Sequence, residues 1–292
     1  MAKLEFTGPN AQQIQYWNEA SGPKWVAFGD VVDAQIAPLG RRAMERAALT
    51  RGERVLDVGC GCGHTSIELA ERVGTDGAVV GADISTVMLD RARATARERG
   101  VRNVQFIEAD AQTYGFARAM FDVAFSRFGV MFFADPPAAF ANLRTALRPG
   151  GRLAFVCWQP LPENPWMFVP LMAAAQHIAL PAPPAPDAPG PFAFGDPDRV
   201  RDILGRAGFD DVAIDGVNDR LQIGGGADLD QTVEFLLQLG PTGNAMRDAS
   251  AQAGPEVVAA VKGAVREALV PYQTGDGVMM PAAAWIVSGR NR

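Results

Sequence analysis

The sequence is poor in cysteine, histidine and long apolar runs. Its 292 residues include 3 cysteines and 2 histidines, which give no disulfide framework and none of the paired spacings that bind zinc. A reducing, cytoplasmic setting without a metal site is therefore expected. No apolar run approaches the roughly 18 residues of a membrane-spanning helix, and residues 1–9 lack a basic region followed by an apolar run. The sequence thus predicts a soluble protein with no stable membrane insertion.

Basic residues are outnumbered by acidic ones. Lysine and arginine total 27 against 33 aspartates and glutamates, which gives a net charge of −6. Because an acidic surface repels phosphates, this balance argues against a nucleic-acid partner. Hydrophobic residues make up 48% of the chain, enough for the core of a large α/β domain.

The most informative stretch covers residues 54–66 and reads RVLDVGCGCGHTS. Apolar residues flank Asp57, and the glycines Gly59, Gly61 and Gly63 follow before the pattern changes to helical spacing. This succession predicts a buried parallel strand that turns into a helix. Because glycine adopts positive φ and has no Cβ, a ligand can lie on the backbone at the helix N-terminus. We therefore interpret the turn as a ligand cradle.

Strand and helix signals alternate beyond this turn, as in a parallel sheet with helices on both faces. Strands are predicted at 54–58, 78–83, 104–108, 121–127, 152–158, 212–223 and 278–287. Helices are predicted at 11–18, 24–49 with an interruption near Pro38, 64–73, 85–99, 112–117, 136–147, 165–180, 198–207, 229–239 and 256–269. The last two strands, separated by helices, are expected to close the sheet as an antiparallel edge pair.

Two acids stand where predicted strands end. Asp83 ends the second strand, where a carboxylate can accept hydrogen bonds from both hydroxyls of a ribose. This position fits a dinucleotide enzyme equally well. Asp110 and Ala111 follow the third strand in the run EADAQ. Met88 lies one turn into the helix that follows Asp83. We assign it to the adenine, with a place in the core as the alternative.

The run D-x-G-x-G-x-G at 57–63, with Asp83 and the pair Asp110 and Ala111, resembles the class I S-adenosylmethionine (SAM) dependent methyltransferases. The region 54–158 resembles their ubiquinone/menaquinone-biosynthesis type. The resemblance implies a Rossmann-like α/β fold with a seven-stranded, mostly parallel sheet, SAM as cofactor and S-adenosylhomocysteine as product. It also implies that Asp110 accepts the adenine amino proton, that Ala111 donates to a ring nitrogen, and that Asp57 lies near the methionine chain. The implied cofactor-binding residues are Tyr16, Trp17, Trp25, Asp57, Gly59, Cys60, Gly61, Gly63, Thr65, Asp83, Ile84, Met88, Asp110, Ala111, Ser126 and Arg127.

The fourth strand ends in SRFGVM. Enzymes that methylate the exocyclic amines of bases, or the amides of glutamine side chains, usually carry an NPPY-like run at this point. The acceptor is therefore expected to be a small molecule. Ser126, Arg127 and Phe128 are assigned to the floor between cofactor and acceptor, with a structural ion pair as the alternative for Arg127. Met131 is assigned to the same acceptor site.

The resemblance divides the chain into an N-terminal helical flap at 1–50 and a methyltransferase domain at 51–292, with a cap insertion at about 159–197. In related enzymes an N-terminal helix folds over the cofactor. Tyr16, Trp17 and Trp25 are accordingly assigned to the cofactor, with packing on the core as the alternative.

The cap insertion combines an apolar helix with a proline-rich stretch. Trp166 and Met167 fall there, and Trp158 directly precedes it; we assign all three to a hydrophobic acceptor that is shielded from water. The cap is alternatively part of the core or a dimer contact, so a homodimer stays open. His177 is the candidate base, with a structural role as the alternative.

The predicted function is transfer of the SAM methyl group to a small, hydrophobic acceptor by in-line SN2 displacement. Two alternatives remain at this level: a non-catalytic SAM-binding regulator and an NAD(P)-dependent oxidoreductase. The oxidoreductase is disfavoured because the sequence lacks G-x-G-x-x-G at the glycine turn.

Overall fold

The computed structural model describes residues 7–185, 187–226, 228–250 and 254–292. Its strands are β1 (Arg54–Val58), β2 (Ala78–Asp83), β3 (Val104–Glu108), β4 (Phe121–Arg127), β5 (Leu147–Trp158), β6 (Asp210–Ile223), β7 (Gln273–Thr274) and β8 (Gly277–Arg290). Its helices are α1 (Ala11–Gln15), α2 (Gly22–Ala27), α3 (Gly29–Ala47), α4 (His64–Val73), α5 (Thr86–Glu98), α6 (Pro136–Ala146), α7 (Pro165–Ala174), α8 (Pro197–Arg206), α9 (Leu229–Gln238), α10 (Gly240–Ser250) and α11 (Pro255–Leu269). No helix among these described stretches combines the length and apolar character needed to traverse a bilayer.

A central sheet organises the described residues, with strand order β3-β2-β1-β4-β5-β8-β6 and β7 paired to β8. The strands from β3 to β5 are parallel, and β8 runs antiparallel to both β5 and β6. The seven predicted strands and the antiparallel edge pair are thus confirmed, and β7 is a short addition. The order reverses between β1 and β4, and the carboxyl ends of strands at such a reversal form the crevice where α/β folds bind ligands.

The predicted helix at 112–117 is wrong. Ala111–Thr113 form a turn, and the chain then continues without regular structure. The Asp110 carboxylate accepts the Gln112 N–H at 2.9 Å. The Asp110 carbonyl accepts the N–H groups of Thr113 and Tyr114, so one turn forms but does not continue as a helix. A segment this short also cannot offset the entropy of helix nucleation without an apolar face to bury.

The N-terminal region differs from its prediction in two respects. Phe28 interrupts the predicted helix 24–49, whereas Pro38 lies inside a continuous α3. Helix α3 packs on β4, β5 and β8 and buries Leu39, Ala43 and Met44, and this burial outweighs the roughly 3 kcal/mol penalty of an internal proline. Helix α3 is therefore part of the core. We restrict the name flap to residues 7–28.

The cover of the sheet is larger than the predicted insertion at 159–197. Helix α7 packs against α10 and α11, and α9 packs on both of these helices. We call α7 with α9, α10 and α11 the cap. Helix α10 was missed because glycine and proline at 240–243 are typical of a loop, but proline is tolerated in the first helical turn. Helix α7 ends at Ala174 instead of residue 180.

Candidate functional site

The glycine turn between β1 and α4 has the left-handed backbone that its sequence predicts. Gly59 has φ +67° and Gly61 has φ +54°. A Cβ at Gly59 would lie 2.8 Å from the Cα of Gly129, so the turn after β1 can touch the turn after β4 only without a side chain. A Cβ at Gly61 would come 3.0 Å from Met88 Cε. Cys60 and Thr65, predicted in the same cradle, are buried beside it, and burial raises the pKa of the Cys60 thiol.

Asp83 fastens this turn. Its Oδ2 accepts the Gly61 N–H at 2.7 Å and its Oδ1 accepts the Ser85 N–H at 2.8 Å. A carboxylate offers about four lone-pair sites, so acceptor capacity remains for ribose hydroxyls. Burial raises the pKa of Asp83 despite these bonds. The side chain of Ser85 accepts the Met88 N–H as the N-cap of α5.

Asp57 is fully buried and only half satisfied. Its Oδ2 accepts the Ser66 hydroxyl at 2.6 Å, whereas its Oδ1 is buried with no hydrogen-bond partner among the described residues. Burial raises the pKa of Asp57 to about 7. A buried acceptor without a donor is costly, and a cationic amine would satisfy both its hydrogen bond and its charge. This oxygen and the glycine turn fit SAM, whose methionine end carries an ammonium group.

Asp110 lies at the other side of the crevice in a dense polar network. Both of its oxygens accept from Asn10 Nδ2 of the flap, each at 2.9 Å. Gln112 N also donates to Oδ1, and Thr113 Oγ1 donates to Oδ2 at 3.3 Å. Ala111 is buried, and its carbonyl accepts from the Asn142 amide. Sequence reasoning missed Asn10 because its partner is 100 residues away.

The end of β4 carries two residues that the sequence assigned to the cofactor. The Ser126 hydroxyl donates to the Val58 carbonyl at 2.7 Å and so ties β4 to β1. Arg127 pairs with Asp33 of α3 at 2.7 Å, and its aliphatic stem lies against Gly40. For Arg127 the structure therefore favours the alternative of a structural ion pair. The partner Asp33 had no sequence signal.

Aromatic side chains cluster where β4 and β5 end. Phe128 has φ +60°, a strained conformation for a bulky residue, and it stacks on Trp158 with centroids 4.0 Å apart and an interplanar angle of 16°. Trp166 of α7 is 5.4 Å from Trp158. Its indole nitrogen is buried and has no hydrogen-bond partner in the part of the chain that the structure describes. Met131 and Met167, also predicted for the acceptor, are buried.

The predicted flap aromatics pack on one another and on the cap. Trp17 makes edge contacts with Trp25 and with Phe132, at centroid distances of 5.7 and 5.2 Å. The Tyr16 hydroxyl donates to Asn244 of α10 at 3.2 Å. These contacts match the alternative of packing within the protein.

Ile84, also predicted for the cofactor, contacts the flap, because Asn18 donates to its carbonyl at 2.9 Å.

His177 is not gathered into the site. It lies exposed in the turn after α7, since that helix ends earlier than predicted, and we withdraw it as a base.

The strand order, the glycine turn and the acids at the strand ends define a Rossmann-like protein of class I type with a site for an adenosine cofactor. A family model described as a methyltransferase domain matches residues 55–151. Aklanonic acid methyltransferase of Streptomyces sp. strain C5 is 39% identical over 157 residues, which cover 52% of this chain and 70% of the relative. The chain belongs to the SAM-dependent methyltransferases.

Other relatives agree with this membership. Nocamycin O-methyltransferase of Saccharothrix syringae is 36% identical over 184 residues, 60% of this chain and 65% of the relative. Demethylmenaquinone methyltransferase of Thermus thermophilus is 38% identical over 129 residues, 44% of this chain and 58% of the relative, which confirms the predicted resemblance to the menaquinone type. Phosphoethanolamine N-methyltransferase 2 of Haemonchus contortus, solved with SAM, has the same fold, with TM-score 0.58, 17% identity and coverage of 95% and 59%. These findings leave no support for the oxidoreductase alternative.

Proposed function

We propose that this chain transfers the methyl group of SAM to a planar, largely apolar small molecule that presents an oxygen to Trp166. Buried Phe128 and Trp158 offer a stacked aromatic floor beside the glycine turn. The single observation that carries the proposal is the unpartnered indole N–H of Trp166, because a buried donor without an acceptor destabilises a protein unless a ligand pairs with it. The printed names of two relatives, for aklanonic acid and for O-methylation of nocamycin, agree with an oxygen-bearing acceptor.

The proposed cofactor site places SAM across the carboxyl ends of β1, β2 and β3. Asp57 Oδ1 receives the ammonium group, Asp83 the ribose hydroxyls, and the Asp110 region the adenine. SAM supplies a methyl group on a sulfonium, which is already an activated leaving group. What the protein contributes is orientation of the acceptor in line with that bond and exclusion of water by the cap.

The variant Trp166→Phe tests this proposal, because it keeps an aromatic ring at the position and removes the indole N–H group. With aklanonic acid and a panel of phenols and aromatic carboxylic acids as acceptors, we expect KM to rise about fivefold to thirtyfold, equivalent to one lost hydrogen bond. The dissociation constant of SAM should stay within about twofold, since the contact belongs to the second ligand.

Trp285→Phe is the matched control. Its indole already donates to the Gly195 carbonyl at 2.8 Å, so its loss should lower stability and leave the acceptor KM unchanged. Unchanged acceptor kinetics in Trp166→Phe would contradict the acceptor assignment. Binding of SAM without turnover of any acceptor would instead favour the non-catalytic regulator.

A further inference from the structure

Asn10 occupies the N-cap position of α1 but does not cap that helix. Asparagine is a preferred N-cap because its side chain commonly accepts a backbone N–H of the first turn. Here the side chain makes no such bond. It crosses to the loops after β3 and β4, where Nδ2 donates to the Asp110 carboxylate and Oδ1 accepts the Ala134 N–H at 2.8 Å. Asn10 is 3% exposed, so this arrangement is sealed from water.

The orientation of the Asn10 amide is fixed by its partners. In the reverse orientation Oδ1 would face the two oxygens of Asp110, and Nδ2 would face the N–H donor of Ala134. Both contacts would be repulsive. The carboxamide therefore presents an amino donor to Asp110 beside an oxygen that accepts a backbone N–H.

Donors crowd the Asp110 carboxylate in this state. The two hydrogens of Asn10 Nδ2 are shared among both Asp110 oxygens, each at 2.9 Å, and Gln112 Oε1 at 3.2 Å. Gln112 N also donates to Oδ1, and Thr113 Oγ1 donates to Oδ2. The amino group of an adenine can therefore reach this carboxylate only by displacing Asn10.

We propose that Asn10 is an internal competitor of the cofactor's adenine, so that the flap and the adenine exclude each other at Asp110. Adenine offers the same pair of groups on one edge, an amino donor next to a ring-nitrogen acceptor. The inference rests on the proposed place of the adenine at Asp110. SAM binds only after Asn10 withdraws, and the apparent dissociation constant equals the intrinsic one divided by the fraction of molecules in which the flap is undocked.

The helical segments of the flap are too short to be stable by themselves. Helix α1 has 5 residues and is followed by a π-helical turn, Tyr16–Ala20, also of 5 residues. Helices this short are unstable by themselves, so the position of the flap depends on its docking contacts. Besides Asn10, these contacts include Asn18 Oδ1, which accepts the Thr86 N–H at 2.9 Å, and the Trp17 carbonyl, which accepts the Ser85 hydroxyl at 2.7 Å. They lie on the β2 side and can act as the hinge when Asn10 leaves.

The test compares Asn10→Ala with the native chain by calorimetric titration of S-adenosylhomocysteine. Removal of the competitor should lower the dissociation constant about fivefold to twentyfold, the range of one or two hydrogen bonds that no longer need to break. In the Asp110→Ala background, Asn10→Ala should have no effect, because the shared partner is gone. Gln15→Ala on the same helix is the control, since its amide bonds only within the flap, to Glu19 at 2.9 Å, and its dissociation constant should not change.

The outcomes separate the two proposals. A weaker or unchanged affinity in Asn10→Ala would overturn the competition and make Asn10 a residue that orients Asp110 or only holds the flap. Because Asp110→Ala also releases Asn10, the place of the adenine is tested in the Asn10→Ala background. If Asp110→Ala leaves the affinity unchanged there, the place assigned to the adenine fails, and this inference fails with it. Competition stands only if Asn10→Ala strengthens binding and Asp110→Ala weakens it in that background.

Discussion

At the scale of single residues, Asp57 shows how burial sets the protonation of the site. Burial raises its pKa to about 7, well above the ordinary value of an aspartate near 3.8. Between these two values the folded protein binds a proton that the unfolded chain does not, so the free energy of unfolding falls as pH rises through this window. The cationic ammonium group of SAM prefers the ionised carboxylate. Cofactor binding should therefore release a proton near neutral pH.

The prediction is that the affinity for SAM increases from pH 6 to 7.5 and that Asp57→Asn removes most of this dependence. Calorimetry in buffers of different ionisation enthalpy measures both the affinity and the proton release. The asparagine should also flatten the decline in unfolding free energy between about pH 4 and 7, because it cannot titrate. A variant that retains the native pH dependence would show that another group is responsible.

The sequence carries a local signal for acids next to a strand end or a glycine turn, but none for residues defined by a distant partner. Asp57 and Asp83 stand beside the glycine turn and the end of a strand, and the structure places both at the crevice. Asn10 and Asp33 have no local signature, since their partners Asp110 and Arg127 lie far along the chain.

At the scale of elements, the turn from β1 to α4 depends on glycine at Gly61. We expect Gly61→Val to abolish SAM binding, because valine resists φ +54° and its side chain would enter the cradle next to Met88. Calorimetry measures the loss, and circular dichroism confirms that the variant is folded. Gly115→Val is the control, since Gly115 has no atom within 4 Å of its added Cβ. Tight binding by a folded Gly61→Val would show that the cradle lies elsewhere.

Element boundaries were predictable where periodicity and end signals coincided. The bounds of β1, β2, β3, β4 and α4 agree with the sequence because buried runs there end at glycine, acid or helix-start residues. The predictions near Pro38 and at 240–250 were wrong because both places carry helix-breaking residues, which indicated an interruption and a loop. In α3 burial on the sheet overrides the proline, and in α10 the proline is confined to the first turn.

At the scale of the whole molecule, the proposed site and the contacts of Asn291 near the C-terminus lie at opposite ends of the parallel strands. The proposed site lies at the carboxyl ends of the parallel strands. Asn291 stabilises the opposite end of the sheet, where β5 begins. Its amide donates to the carbonyls of Arg144, Leu147 and Arg148, at 3.2, 2.9 and 3.1 Å. Its backbone also exchanges hydrogen bonds with Gly150 and Gly151. The residue is 8% exposed, so water cannot replace these bonds freely.

Asn291→Ala should lower the free energy of unfolding by about 1–3 kcal/mol, because buried carbonyls lose their donor. Urea denaturation measures this change, and the dissociation constant of S-adenosylhomocysteine should remain the same. Arg292→Ala is the control, since its pair with Asp211 is exposed and such pairs contribute about 0–1 kcal/mol. A loss of cofactor affinity in Asn291→Ala would contradict the expectation that this end of the sheet affects stability but not cofactor binding.

The sequence by itself determined the succession of strands along the chain, the glycine turn, and the acids near the ends of β1 and β2, because each is encoded in a few adjacent residues. Only the tertiary structure decided that α3 joins the core, that α10 meets Tyr16, and that Asn10 occupies Asp110. The same holds for the exposure of His177. These features depend on how distant segments pack, and packing is set by the shape and polarity of both partners at once, which the local pattern around either one does not contain.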